Sequence, residues 1–93
     1  MRFSLRAFVE ETSVKARVVV TLKRSVLDPQ GQAVGRALGA LGFTEVKDVR
    51  LGKIIELELE ESDARKARER LKEMCEKLLA NTVIEEYRIE EPA

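Results

Sequence analysis

Val49, Leu51, Ile55, Leu57 and Leu59 all stand at odd positions, and Lys53 is the only polar member of that row between 49 and 59. A period of two sustained this long belongs to an extended chain with one apolar face. Within Glu45–Glu60 two readings stay open: a two-residue hairpin at Leu51-Gly52, or one long strand bent or bulged near Gly52. The unbroken parity favours the single strand. Roughly 15 residues is well beyond the usual strand length, and a chain of 93 residues can hardly cover it alone. Part of it is therefore expected to pair with another chain.

The remaining elements fall on either side of this row. Val14, Ala16, Val18, Val20 and Leu22 alternate with Lys15, Arg17, Thr21 and Lys23, which predicts a strand over 14–23 with one face toward a core. Asp28-Pro29 opens a helix: an aspartate caps free N–H groups, and proline at the first helical position loses no bond. Val34, Ala37, Leu38 and Leu41 follow as its apolar stripe, and Gly42 ends it. Ser62-Asp63 opens a second helix running to about Ala80. Its stripe is Ala64, Ala67, Leu71, Met74 or Cys75, and Leu78; Glu73 and Lys77 form an i,i+4 pair, and Asn81 closes it. Thr82–Glu90 is a last strand with Val83, Tyr87 and Ile89 on one face. The order β-α-β-α-β in so short a chain predicts an α+β fold: a mainly antiparallel sheet, two helices on one face and a long bent middle strand, a relative of the ferredoxin-like sandwich. Residues 1–13 stand apart as an N-terminal extension, and 14–93 form a single domain.

Composition excludes several function classes. Lys plus Arg and Asp plus Glu are both 17, so the net charge is zero. No field draws nucleic acid or an anionic membrane, and four aromatic residues, Phe3, Phe8, Phe43 and Tyr87, make no stacking platform. No apolar run reaches membrane-spanning length, no signal-peptide core is present, and the single cysteine forms no internal disulfide. These readings place the chain in the cytoplasm, without nucleic-acid or membrane partners.

Catalytic chemistry is equally hard to find. There is no histidine to serve as base or metal ligand. Cys75 sits on an apolar stripe without an activating partner. Glu56, Glu58 and Glu60 alternate with Ile55, Leu57 and Leu59 and read as a solvated strand face. The amino end of the first helix at Pro29-Gln30-Gly31 has outward N–H groups suited to an anion, but Asp28 competes for them as the cap. No catalytic, cofactor or metal residue is assigned. The residues left over are those at turns, where function concentrates: Asp28, Pro29, Gln30 and Gly31 at one turn, Arg50, Gly52 and Lys53 at the bend, and Asn81. They are the candidate interface, with Arg50 as its anchor because arginine is enriched in hot spots.

Four separated segments together resemble one family. They are Val20–Lys23 with Ser25–Gly31, Val46–Lys53, Lys72–Asn81 and Val83–Tyr87. The chain resembles the PurS family, small subunits of phosphoribosylformylglycinamidine synthase, over about Val14 to Ile89. The resemblance implies a part in purine biosynthesis, within a ligase that amidates formylglycinamide ribonucleotide with glutamine and ATP. It implies a PurL-like synthetase partner, where ATP and Mg belong, and a PurQ-like glutaminase partner with the cysteine nucleophile. It implies no catalytic residue or cofactor in this chain, self-association as a homodimer or higher oligomer, and an assembly role that leaves room for aiding ammonia transfer. The rival reading is a small-molecule-sensing regulatory module of ferredoxin-like fold, with a ligand pocket between subunits.

Overall fold

Alternation decides the first strand. Ala16, Val18 and Val20 are at most 1% exposed, while Arg17 and Val19 between them stay partly accessible. In the computed structural model, which describes residues 13–91, this strand (β1, Val14–Leu22) is the centre of a three-stranded sheet. Both neighbours, β2 (Gly52–Leu59) and β3 (Glu85–Glu90), pair with it antiparallel, in the order β2-β1-β3. The register places Val18 opposite both Ile55 and Ile89, and Val20 opposite Lys53 and Tyr87. Each fully buried valine contributes about 1.5–3 kcal/mol relative to exposure.

Two helices complete the α+β architecture: α1 (Pro29–Ala40) and α2 (Ala64–Met74). Asp63 caps α2 by accepting from Arg65 N–H at 2.9 Å. Its buried residues Ala67 and Leu71, with Cys75 just beyond, close the core on β1. The i,i+4 pair forms as expected, Lys77 to Glu73 at 3.8 Å. The end of this helix differs from expectation. Cys75–Leu79 is a π-helical turn, closed by Ala80 N–H donating to the Cys75 carbonyl at 3.1 Å. One extra residue per turn rotates the inward position from Leu78 to Leu79 and Ala80. Leu78, expected in the stripe, is 83% exposed.

Three further expectations are corrected. The middle strand pairs only from Gly52 to Leu59; there is no hairpin at Leu51-Gly52, and residues 47–51 lead in without ladder pairing. The last strand starts at Glu85 rather than Thr82, because residues 82–84 form a turn, and Val83 is exposed there. The stripe of α1 is not core. Val34 and Leu41 are exposed, as is Phe43 beyond the helix, and α1 makes no substantial contact with the sheet or with α2. The radius of gyration, 18.1 Å, exceeds the about 12 Å of a compact chain this long. Apart from Ser13, the N-terminal extension lies outside the described residues.

The second sheet face is open. Arg17 stands between Glu56 at 3.7 Å and Glu90 at 3.8 Å. Accessible pairs of this kind are worth at most about 1 kcal/mol. No helix among the described residues is long and apolar enough to cross a membrane.

Candidate functional site: the sheet end at Asp28, Arg50 and Asn81

The sheet register brings the turn residues together. Leu22 pairs with Glu85, and Thr21 pairs with Gly52, so the exit of β1 and the entries of β2 and β3 share one end of the sheet. The loop to α1, the approach to β2 and the turn before β3 all meet there. A shallow cavity of about 270 Å³ opens at this end, lined by Val20, Leu22, Asp28, Gln30, Leu51, Gly52, Lys53 and Glu85. Four of the eight sequence-predicted residues line it.

Asp28 organises the corner. It is 4% exposed, and its two carboxylate oxygens are used separately. Oδ1 accepts from Gly31 N–H at 2.8 Å, the helix cap; Oδ2 accepts from Leu51 N–H at 2.7 Å, a bond across 23 positions of sequence. The bond from Leu51, then that from Gly31, hold its carboxyl below the ordinary value of 3.8, with the Arg50 charge adding to them against the cost of burial. The N–H groups that could have met an external anion are thus filled by Asp28 itself. Pro29 occupies the first helical position, as expected.

Gly31 is required by close approach. A Cβ there would run into the Val49 carbonyl oxygen and stand 2.8 Å from Asp28 Oδ2. Gly52 is required for the same reason, since its Cβ would lie 2.6 Å from the Val20 carbonyl oxygen and 2.8 Å from Thr21 Cγ2. Both glycines let the 49–52 segment press against α1 on one side and β1 on the other.

Arg50 is an anchor within its own chain. Its Nη2 donates to the carbonyls of Lys23 and Val26, both at 2.9 Å, and so pins the β1–α1 loop. Asn81 also works locally. Its Oδ1 accepts from Val83 N–H at 3.2 Å, and its carbonyl accepts from the N–H groups of Ile84 and Glu85. It therefore opens the turn into β3, where it was expected to close the preceding helix. Lys23 N–H donates to the Ile84 carbonyl at 2.9 Å, tying this turn to the β1–α1 loop. Lys53 and Gln30 remain exposed, and Lys53 makes no ion pair among the described residues.

Sequence reasoning missed the apolar members of the corner. Leu27 is 63% exposed and Val83 80%, with Ile84 and Leu51 also exposed. One signal was available for Leu27. A residue just before a helix cap usually packs on the fourth helical position, but here that position is Gln32. Leu27 has no intrahelical apolar partner and is left to the outside.

The arrangement has no reactive group. No cluster of His, Cys, Asp or Glu suited to a metal ion occurs among the described residues. Cys75 is buried, and desolvation, with the nearby Glu76 charge, pushes its thiol above the ordinary 9.0, away from a reactive thiolate. What the corner offers is a rigid polar frame carrying exposed apolar side chains, the anatomy of a protein contact.

Comparison with known proteins agrees with this frame. The family model PurS, described as phosphoribosylformylglycinamidine (FGAM) synthase, matches residues 15–92. The phosphoribosylformylglycinamidine synthase subunit PurS of Bacillus subtilis is 60% identical over 76 residues, covering 82% of this chain and 89% of that protein. The PurS subunit of Methanocaldococcus jannaschii is 47% identical over 75 residues, covering 81% and 90%. Among solved structures, B. subtilis PurS superposes with a TM-score of 0.74 at 56% identity, covering 84% of this chain and 96% of the other. A chain in the structure of PurLQS from Thermotoga maritima gives 0.79 at 40% identity, covering 85% and 96%. This chain belongs to the PurS family of phosphoribosylformylglycinamidine synthase subunits.

Proposed function

We propose that this chain is the non-catalytic assembly subunit of phosphoribosylformylglycinamidine synthase in purine biosynthesis, bridging a PurL-like synthetase and a PurQ-like glutaminase in the cytoplasm. The likeness to a chain of the T. maritima PurLQS structure carries this reading. The site supports it from the chemical side: a corner of fixed geometry, with apolar side chains facing outward and no nucleophile, base or metal cluster among the described residues. ATP, Mg and the glutaminase cysteine belong to the partners. The chain aids ammonia transfer by holding the two partners in register. It also self-associates, because α1 leaves an apolar stripe without a partner in its own fold.

Mixing the chain with purified synthetase and glutaminase, with ATP and glutamine present, tests the assembly role by size-exclusion with light scattering. A three-subunit complex is expected only when this chain is included. Co-elution of the other two subunits to the same extent without it contradicts the role. Substitution of Lys53 or Leu27, whose side chains make no hydrogen bond among the described residues, should weaken the complex at unchanged fold. Arg50→Ala perturbs the loop as well, so it reports less cleanly.

A further inference from the structure

The zero net charge of this chain hides a division. Residues 13–50 carry seven Lys and Arg against three Asp and Glu, whereas residues 51–91 carry eight against twelve. Part of the basic excess is spent inside the fold. Arg50 turns inward to the carbonyls of Lys23 and Val26, and Arg24 meets Asp48 at 3.7 Å. Arg36 and Lys47 are exposed and make no ion pair among the described residues.

These two cations share a groove. A cavity of about 370 Å³ runs between α1 and residues 46–49, and Gly31, Gly35, Arg36, Lys47, Asp48 and Val49 are among its walls. Its helix side is largely main chain, because Gly31 and Gly35 present no side chain. A Cβ on Gly35 would stand 3.6 Å from Val49 Cγ2, and one on Gly39 would meet nothing within 4 Å, so the helix surface stays open toward its carboxyl end. The volume falls within the range of about 300–1,000 Å³ that takes several functional groups at once. Asp48 is the one acidic residue of the lining, and Arg24 answers it. Arg36 lies about 200° around the helix from Val34, so the groove is separate from the apolar stripe and both faces can be engaged together.

We propose that this groove receives an acidic segment of the glutaminase subunit, with the planar fork of Arg36 on one carboxylate and the Lys47 ammonium on another. The inference rests on the assembly role proposed above and deepens it, since a bridge needs two separate surfaces. The corner at Leu27, Val83 and Ile84 is apolar, whereas the groove is charged. The apolar surface suits a lasting contact, and the charged one suits a contact that forms and parts. A glutaminase takes up glutamine and discharges glutamate in every cycle, which puts the parting contact on its side. A second copy of this chain is a poorer source of carboxylates, because Glu56, Glu73, Glu90 and Glu91 already pair with its own Arg17, Arg70, Lys77 and Arg68.

The test forms the complex of this chain with the synthetase first. Labelled glutaminase is then titrated in, with ATP and glutamine present, and binding is read by fluorescence anisotropy. Arg36→Glu and Lys47→Glu should each weaken glutaminase binding about tenfold, at an unchanged far-UV circular dichroism spectrum and unchanged retention of the chain on the synthetase. Arg36→Lys keeps the charge but loses the fork, and should fall between the wild type and Arg36→Glu. Lys66→Glu, on α2 and outside the groove, should match the wild type. Raising salt from about 50 to about 300 mM should weaken the wild type more steeply than the double reversal. Folded reversals that bind glutaminase as the wild type does, or that lose the synthetase instead, would overturn the inference. So would reversals that change the light-scattering mass of the isolated chain, by placing a second copy in the groove. A wild-type chain that joins neither subunit would overturn the assembly role along with it, whereas reversals without effect in a complex that does form would leave that role standing.

Discussion

The two halves of this molecule solve the problem of a small core in opposite ways. The sheet and α2 close on themselves, with Val18, Leu71 and Cys75 at 0% exposure. The α1 half is held at its base by directed polar bonds, the Asp28 carboxylate and the Arg50 guanidinium, while its apolar residues face outward. One half is a folding unit and the other a mount. The difference teaches that an apolar stripe in a subunit does not identify a monomer core; a neighbouring chain can supply the missing layer.

The contrast breaks first, and with the largest effect, in the core. Leu71→Ala should cost about 2–5 kcal/mol in chemical denaturation, whereas Leu41→Ala should stay within about 0.5 kcal/mol on the isolated fold at subunit-dissociating dilution. Comparable losses at both positions would mean that α1 belongs to the same core. Next comes Gly31→Ala, where the new methyl meets the Val49 carbonyl; a loss of about 1–3 kcal/mol is expected. Hydrogen exchange should quicken in α1 and residues 49–51 and hold steady in β1 and α2.

Two smaller effects sharpen the picture through pH. Asp28 has a folded-state pKa below 3.8, so its contribution is present above about pH 4 and is lost as pH falls through the lowered value. Exchange at the Leu51 and Gly31 amides should rise over that acid window in the wild type. In Asp28→Asn it should be raised already at neutral pH, with no further acid step from this group. Tyr87, the one tyrosine, has its pKa pushed up to about 12, chiefly by the hydrogen bond to Glu76. Its raised folded value means a contribution present below the ordinary value of about 10 and lost as pH rises toward 12. Tyrosinate absorbance should therefore appear near pH 12 in the wild type and near the ordinary value in Glu76→Gln, with a stability change of only about 0.5–1.5 kcal/mol.

Local signals in the sequence were legible wherever one element determines its own geometry. Asp28-Pro29 marked a cap that forms as read, and the alternation of β1 named its buried face. The readings that failed depend on what lies across from a residue. Leu78 has helical spacing for the core, but a π-turn, which has no compositional mark here, rotates it outward. Val34 and Leu41 have the right period, yet periodicity says that a stripe will be covered, not by which chain. Residues 49–51 keep the parity of β2, but Gly52 is where the strand first meets β1. The eight turn residues were visible as candidates; that five of them, Asp28, Gly31, Arg50, Gly52 and Asn81, hold the corner together required the cross-strand register and the Leu51 bond. The exposed partners Leu27 and Val83 could be recognised only once that frame was in place.

The central claim is that the chain contributes assembly to a reaction whose chemistry lies in other subunits. Glutamine-dependent formation of the amidine product by purified synthetase and glutaminase, measured with and without this chain at matched concentrations, tests it most directly. The account predicts that product formation from glutamine depends on adding the chain. Undiminished glutamine-dependent synthesis in its absence would contradict the account.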